Sequence, residues 1–235
     1  MTVDALMLLA TLLLAVLLAG LLILRRAFEA LPLFFTYQVY SAISAGVGYA
    51  ALRYFATAYF RYVIVATALD AVLYLVVLFE LAGNVLEFNR QGRSRRGGWL
   101  FMSVAFSALL WPLALWTAPA SFGPLWNLFS IEMHATTIVE VAAIVSLLTW
   151  GRLLKLRWSE TGLRIVTGMG VWPLVGLGVL IVHGWGVFSG EYRWLDDLVP
   201  ASAILALLYW VHYFWVVVPS TARAVTASTV LQEGR

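Results

Sequence analysis

Long apolar stretches separated by short polar segments recur along the chain, and they predict membrane-spanning helices. Seven such stretches cover residues 5–24, 33–52, 62–86, 99–117, 125–150, 165–188 and 198–218. Each is close to the roughly 20 residues that a helix needs to cross the hydrocarbon core of a bilayer. Their apolar positions do not alternate with polar ones, as the strands of a membrane barrel require. The pattern predicts an all-α bundle of seven transmembrane helices that forms a single domain over residues 1–235.

The composition of the chain also indicates a membrane protein. Hydrophobic residues make up 63% of the sequence and charged residues 11%, whereas charged residues make up about 25% of a soluble domain. Cysteine is absent, which excludes disulfides, thiolate metal ligands and cysteine nucleophiles. We expect an integral protein of the bacterial inner (cytoplasmic) membrane, with membrane lipids and, in one interpretation, other membrane protein subunits as its partners.

The positions of the basic residues predict the orientation of the bundle, because cytoplasmic loops are enriched in Arg and Lys. Basic residues follow the first, third and fifth stretches: Arg25, Arg26, Arg90, Arg93, Arg95, Arg96, Arg152, Lys155, Arg157 and Arg164. The loop after the sixth stretch is net negative, and only Arg53 and Arg61 after the second stretch disagree. Taken together, the charges of these loops predict that the N-terminus lies outside and the C-terminus inside.

The later basic clusters have a second interpretation as contacts for anionic lipid or for a cytoplasmic partner. The residues concerned are Arg90, Arg93, Arg95, Arg96, Arg152, Lys155 and Arg157. They lie in short loops between predicted spans, so membrane topology explains the net charge of +3. Binding of nucleic acid is therefore not expected.

Seven ionisable side chains lie within the predicted spans. They are Asp70, Glu80, Glu132, His134, Glu140, His183 and His212. A charged group near the bilayer centre costs roughly 2.5–3.5 kcal/mol on insertion scales, and it usually faces the bundle interior. These seven side chains are therefore the candidate intramembrane polar site. Counting from the span ends puts Asp70, Glu132, His134 and His183 in one layer and Glu140 and His212 in a deeper one.

This candidate site allows three functional interpretations and one structural interpretation. His134, His183 and His212 could bind a metal together with carboxylates, or two of them could ligate a haem. A chain of carboxylates and histidines could instead relay protons. In the structural interpretation, each group joins two helices by hydrogen bonds. The last is favoured, because no Glu-x-x-His or His-x-x-x-His pair lies on one helix face, and the sequence identifies no cofactor.

The sixth stretch carries a repeated Gly-x-Gly unit and a proline. The glycine pairs begin at Gly168, Gly176 and Gly184, and Pro173 lies between the first two. Small residues let helices approach closely, and proline interrupts the helical hydrogen bonds and favours a kink. A bending helix that acts as a gate is one interpretation. Close packing around bulky neighbours is the interpretation we favour.

One segment of the chain resembles a known group of proteins. Arg25 and Arg26, followed by Leu-Pro-Leu-Phe-Phe-Thr-Tyr at residues 31–37, resemble the start of the second span in uncharacterised hydrophobic bacterial multi-pass membrane proteins. The resemblance covers one helix and implies no activity, cofactor or site residue.

Common catalytic and cofactor motifs are missing from the sequence. It has no Walker loop, no Gly-x-Ser-x-Gly and no His-Glu-x-x-His. Its one lysine, Lys155, lies in a predicted loop and not in the last helix, where a retinal Schiff base would need it. We therefore expect a non-enzymatic membrane protein, either a receptor-like sensing bundle or an accessory subunit of a larger membrane complex. The alternative is a bundle that bears a metal or haem, or that conducts protons or ions.

Overall fold

The computed structural model describes residues 3–88, 103, 105, 124–184 and 193–217, and its regular secondary structure is entirely helical. Within these residues the helices are α1 Val3–Leu24, α2 Ala27–Ala30, α3 Pro32–Tyr54, α4 Ala56–Phe88, α5 Pro124–Leu153, α6 Glu160–Gly184 and α7 Arg193–Val216. The all-α class is confirmed. The predicted stretch at residues 99–117 falls outside the described residues, except for two helical positions, 103 and 105.

Five of the described helices are long and apolar enough to cross a membrane. The qualifying segments are Val3–Leu24, Arg61–Val85, Met133–Leu153, Glu160–Val182 and Asp197–Val216. Large apolar side chains remain exposed on their surfaces, including Leu13 at 62% and Leu205 at 63%. Exposed apolar surface of this kind suits contact with lipid. The chain is therefore an integral membrane protein.

Helix α3 is more polar than these five helices. Its 23 residues are enough to cross a bilayer, but Thr36, Gln38, Ser41 and Ser44 interrupt its apolar surface. It is not among the five segments that qualify by length and hydropathy. The count of seven spans and the orientation of the termini therefore stay predictions.

The six long helices form a closed ring in the described part of the chain. Around this ring, α1 contacts α3, α3 contacts α4, α4 contacts α5, α5 contacts α6, α6 contacts α7, and α7 contacts α1. Helices α3 and α4 run antiparallel, since Glu80 late in α4 bonds to Leu33 at the start of α3. Following the predicted orientation, we call the end at which α1 begins the outer end and the opposite end the inner end.

An aromatic cluster fills the ring where α3, α4, α6 and α7 meet. Phe34 and Trp172 each pack edge-on against Trp210, with ring centroids 5.2 and 6.2 Å away. Tyr74 packs edge-on against Trp172 at 5.4 Å. Each such aromatic pair contributes about 0.5–1.5 kcal/mol beyond the area it buries. Packing of this kind stabilises a bundle in lipid, where burial from water does not drive helix association.

Helix α6 approaches Trp210 closely because Gly168 has no side chain. A Cβ atom at this position would lie 2.7 Å from Cζ2 of Trp210 and closer still to Nε1. The indole N–H of Trp210 donates to the carbonyl of Arg164, 3.3 Å away. A Cβ at Gly176 would lie 3.2 Å from Thr137 of α5. At Gly168 and Gly176 the missing side chain therefore allows close packing between helices, which is the interpretation that we favoured from the sequence.

Candidate functional site

Five side chains from four helices form a polar cluster inside the bundle. They are Tyr37 of α3, Asp70 and Tyr74 of α4, Glu140 of α5 and Trp172 of α6, which we call the core cluster. The Tyr37 hydroxyl interacts with the Asp70 carboxylate, and the Trp172 indole interacts with the Glu140 carboxylate. The two carboxylates are close enough to interact electrostatically. The structure thus unites two of the seven predicted site residues.

The structure brings Glu140 closer to Asp70 than the sequence count predicted. That count started from the predicted span ends and put Glu140 in a deeper layer than Asp70. In the structure the two carboxylates interact electrostatically with each other, and both also act on Tyr37. Asp70 and Glu140 therefore belong to one group of polar side chains inside the bundle.

Tyr74 is held in the core cluster by a gap in the hydrogen bonds of α6. Pro173 lies inside α6 and has no N–H, so the carbonyl of Met169 one turn earlier has no partner within the helix. The Tyr74 hydroxyl donates to this carbonyl at 3.0 Å, and both groups are buried. Asp70 and Tyr74 are four residues apart and share a face of α4. The bond therefore fixes that face against α6.

An open pocket of about 250 Å³ lies between α1, α3 and α4, next to the core cluster. Hydroxyl groups and one carboxylate line much of it, from Thr11, Ser41, Ser44, Tyr59, Tyr62, Thr67 and Asp70. We call it the Asp70 pocket. The hydroxyls of Ser44 and Tyr62 are 2.7 Å apart, and the Tyr40 hydroxyl donates to the carbonyl of Ala66 at 2.7 Å. These two bonds hold α3 and α4 together along the pocket.

Asp70 belongs to both the Asp70 pocket and the core cluster. Its side chain is half-buried, and no Arg or Lys lines the pocket among the described residues. A carboxylate at membrane depth is costly unless a cation or a hydrogen-bond donor compensates it. Tyr37 supplies one polar contact from the protein. The pocket can therefore accept a ligand that brings positive charge or further N–H and O–H donors.

Gln38 is an unexplained polar group in the bundle. It is fully buried on α3, directly after Tyr37 in sequence. Neither Nε2 nor Oε1 of its side chain has a hydrogen-bond partner among the described residues. A buried amide without a partner costs about 1–3 kcal/mol. Nothing in the sequence indicated that this amide would lack a hydrogen-bond partner.

Glu80, another predicted site residue, caps a helix. Its two carboxylate oxygens accept hydrogen bonds from the backbone N–H groups of Leu33 at 3.1 Å and Phe34 at 3.0 Å. Helix α3 begins at Pro32, and its N-cap Leu31 offers no side-chain bond. The first N–H groups of a helix have no partner within it, and a carboxylate there also complements the helix dipole. Glu80 therefore stabilises the start of α3 from α4.

Two of the three histidines can be placed, and their surroundings differ. His134 is buried on α5, whereas His212 is exposed on α7. His183 lies on α6 and Glu132 on α5, and the structure does not describe the side chain of either residue. Within the described residues, no three His, Asp or Glu side chains are grouped so as to hold a metal. A metal site that uses the histidines stays a prediction.

The basic residues predicted to contact lipid or a partner lie at the inner end where they can be described. Arg152, Lys155 and Arg157 lie at the end of α5 and in the link to α6, and Arg152 and Lys155 are exposed. The remaining four, Arg90, Arg93, Arg95 and Arg96, lie outside the described residues. Contact of these side chains with lipid or with a partner stays a prediction.

Three aromatic members of the core cluster were missed from the sequence. Tyr37, Tyr74 and Trp172 did not stand out, because aromatic residues occur throughout the spans. A signal existed for Tyr74, since it lies one helical turn after Asp70 on the same face. Pro173 gave a second signal, because it leaves a carbonyl of α6 in need of a donor.

No protein-family model, curated protein or solved structure matches the chain. The functional conclusion therefore rests on the core cluster and the Asp70 pocket.

Proposed function

We propose that this integral membrane protein is a receptor-like bundle that binds a small organic cation in the Asp70 pocket. One observation carries the proposal. A single carboxylate and several hydroxyl groups line an open pocket, and no basic side chain among the described residues lines it with them. Such a lining offers acceptors and negative charge, and an ammonium group offers three donors and positive charge.

The size and lining of the Asp70 pocket restrict the ligand. Its volume of about 250 Å³ corresponds to roughly eight water-sized groups, since a water molecule occupies about 30 Å³ in the liquid. The rings of Tyr59 and Tyr62 lie in the lining, and aromatic faces attract ammonium ions. An anionic ligand would meet repulsion from Asp70. A small primary or quaternary ammonium compound fits these conditions.

The core cluster provides a route from the Asp70 pocket to the rest of the bundle. Asp70 interacts with Tyr37 and, electrostatically, with Glu140. Trp172 interacts with Glu140 and packs against Trp210 of α7. A ligand shifts a conformational equilibrium only when it binds one state more tightly than the other. Neutralising Asp70 with a bound cation changes the balance of charge at the contact between α4 and α5.

Thermal unfolding of the purified protein tests the proposal with defined probes. Ethylammonium and choline should raise the unfolding temperature, because a ligand that binds only the folded state stabilises it by mass action. Ethanol, similar in size to ethylammonium but neutral, should not. Asp70→Asn keeps the size of the side chain and should abolish the response to both cations.

A matched control removes a carboxylate elsewhere in the protein. Glu160 lies at the start of α6, and its side chain is 65% exposed, so Glu160→Gln should leave the response to ammonium intact. The proposal fails if ethanol stabilises the protein as much as ethylammonium does. It also fails if Asp70→Asn keeps the full response.

Proton conduction is a second candidate, supported by the two carboxylates of the core cluster. Asp70, Tyr37 and Glu140 interact with one another at membrane depth, and rows of ionisable groups in membranes commonly carry protons. Proteoliposomes with an internal pH dye would show the flux. If Glu140→Gln stops the flux while ammonium still stabilises the protein, the two activities are separate. If the wild-type protein shows no proton flux, proton conduction is excluded as its function.

We place the proposed receptor in the bacterial inner membrane, and the basic loops of the sequence support this assignment. An accessory role in a larger membrane complex would require stoichiometric partner subunits that copurify from native membranes. A response of the isolated chain to ammonium in proteoliposomes would instead support a receptor that acts by itself. Neither observation depends on the number of spans.

A further inference from the structure

A second pocket, of about 400 Å³, lies at the inner end of the bundle, where α1 ends. The link between α1 and α2, the end of α4, the start of α6 and the end of α7 enclose it. Its polar lining consists of Arg25, Arg26, Asn84, Ser159 and Thr161. We call it the arginine pocket. It shares no lining residue with the Asp70 pocket.

The charge of the arginine pocket is positive. Arg25 and Arg26 line it, and no Asp or Glu does so among the described residues. Glu160, an acidic residue in the first turn of α6, is 3.6 Å from Arg164 and does not line the pocket. Arg26 has a φ of 52°, in the left-handed region, and this residue turns the chain from α1 into α2. The turn places two consecutive arginines at one pocket.

Arginine side chains match phosphate in particular. The planar guanidinium presents paired N–H donors that bind two phosphate oxygens at once. Asn84, Ser159 and Thr161 add further polar side chains to the lining. The lining therefore offers charge and donors suited to a phosphate group.

The rest of the lining and the position of the arginine pocket indicate the source of that phosphate. Leu31, Leu81, Val85 and Phe214 form its apolar part. A volume of about 400 Å³ corresponds to roughly thirteen water-sized groups at about 30 Å³ each, more than a phosphate ion fills. The pocket lies directly after the candidate membrane-crossing segment Val3–Leu24, and the end of a span of this length would meet the lipid headgroups. We propose that the arginine pocket binds the headgroup phosphate of an anionic phospholipid.

Binding of lipid to the purified protein in detergent tests this inference. Phosphatidylglycerol should bind more tightly than phosphatidylcholine, as measured by native mass spectrometry and by the unfolding temperature. The double substitution Arg25→Gln and Arg26→Gln should weaken phosphatidylglycerol binding by about tenfold or more, because hydrogen bonds to charged groups are strong. Inorganic phosphate at the same concentration should stabilise the protein much less than the lipid does.

Two further variants separate the pocket from general attraction between charges. The double substitution Arg152→Gln and Lys155→Gln removes the same charge from exposed inner-end positions that do not line the pocket, and it should keep the lipid preference. Ala30 is exposed at the mouth of the pocket, so Ala30→Trp should block the lipid without changing the charge.

Three results would overturn the inference. The first is equal binding of phosphatidylglycerol and phosphatidylcholine. The second is an equal loss of lipid in the Arg25/Arg26 and Arg152/Lys155 variants, which would indicate general electrostatic attraction only. The third is stabilisation by inorganic phosphate as large as that by the lipid, which would make the site one for a soluble phosphate. If the Arg25/Arg26 variant does not fold, full lipid binding by Ala30→Trp still contradicts the inference.

Discussion

The hydroxyl of Tyr74 donates a hydrogen bond of 3.0 Å to the carbonyl oxygen of Met169, and this bond crosses from α4 to α6. The bond supplies a donor to a carbonyl of α6 that would otherwise lack a hydrogen bond because of Pro173. Pro173 cannot donate to Met169, and in lipid no water replaces the missing donor. Tyr74, a member of the core cluster, is thus also a structural partner of Pro173.

A double-mutant cycle should show this dependence. Tyr74→Phe removes only the hydroxyl and leaves the Met169 carbonyl buried without a donor, so the free energy of unfolding should fall by about 1–3 kcal/mol. In a Pro173→Ala background the new N–H at residue 173 can bond to Met169, and Tyr74→Phe should then cost less. Reversible unfolding in mixed micelles measures the cost of Tyr74→Phe in the wild-type and in the Pro173→Ala background. Equal costs in the two backgrounds would show that the proline is not involved.

Substitution of Glu80 should weaken the start of α3. Glu80→Ala removes both acceptors from the N–H groups of Leu33 and Phe34, and loss of a helix cap costs about 0.5–2 kcal/mol. Glu80→Gln keeps one acceptor oxygen and should cost less. Hydrogen exchange of the first turn of α3 should increase in Glu80→Ala and stay low in the control Glu29→Ala, which alters an exposed residue of α2. Unchanged exchange in Glu80→Ala would disprove the capping role.

Two glycines of α6 should respond in opposite ways to alanine. Gly168→Ala pushes a methyl group into the indole of Trp210, and such overpacking costs about 1–3 kcal/mol. Gly178 has no atom within 4 Å of a Cβ, so Gly178→Ala should be neutral or stabilise the helix by up to about 1 kcal/mol. Unfolding temperatures of the two variants, compared with wild type, give the answer. Similar temperatures for both would mean that Gly168 is not at a close contact.

Removal of the unpaired amide of Gln38 should stabilise the protein. Gln38→Met keeps the length of the side chain and removes two buried polar atoms that have no partner among the described residues. The free energy of unfolding should rise by about 1 kcal/mol or more. Gln38→Ala is the comparison, because it removes the same atoms but leaves a cavity, and it should destabilise. A loss of stability in Gln38→Met would reveal a partner for the amide.

The positions of the described helices along the chain could be predicted from the sequence because their boundaries have local causes. The second apolar stretch becomes a helix that begins at Pro32, and the first helix ends before Arg25 and Arg26. The six described long helices overlap six of the predicted apolar stretches. Length and hydropathy decide such elements in lipid, where unpaired backbone groups are costly. Residues 99–117, for the most part outside the described residues, cannot be compared in this way.

The partners of the polar residues could not be predicted, because they lie far away in sequence. Glu80 was a candidate site residue by depth alone, and its role depends on N–H groups more than 40 positions earlier. Asp70 and Glu140 were assigned to different layers by counting from the predicted span ends, and their interaction between α4 and α5 was not predicted. His212 was a candidate by depth, but its position on the helix circumference leaves it exposed.

The most direct test of the Asp70 pocket as a cation site uses Thr67→Cys, because the native chain has no cysteine. Thr67 lines the pocket one helical turn from Asp70. Cationic and anionic membrane-impermeant thiol reagents are applied to intact cells, and their reaction rates are compared with and without Asp70→Asn. The fully buried Ser146 supplies an unreactive control, Ser146→Cys.

The two reagents should report the charge of Asp70. We predict that Thr67→Cys reacts from outside and that Asp70→Asn lowers the ratio of cationic to anionic rates by about fivefold or more. That change corresponds to about 1 kcal/mol, the interaction of two charges 4 Å apart in water. An unreactive thiol in the Thr67→Cys variant, or a rate ratio that Asp70→Asn leaves unchanged, would contradict a cation site in this pocket.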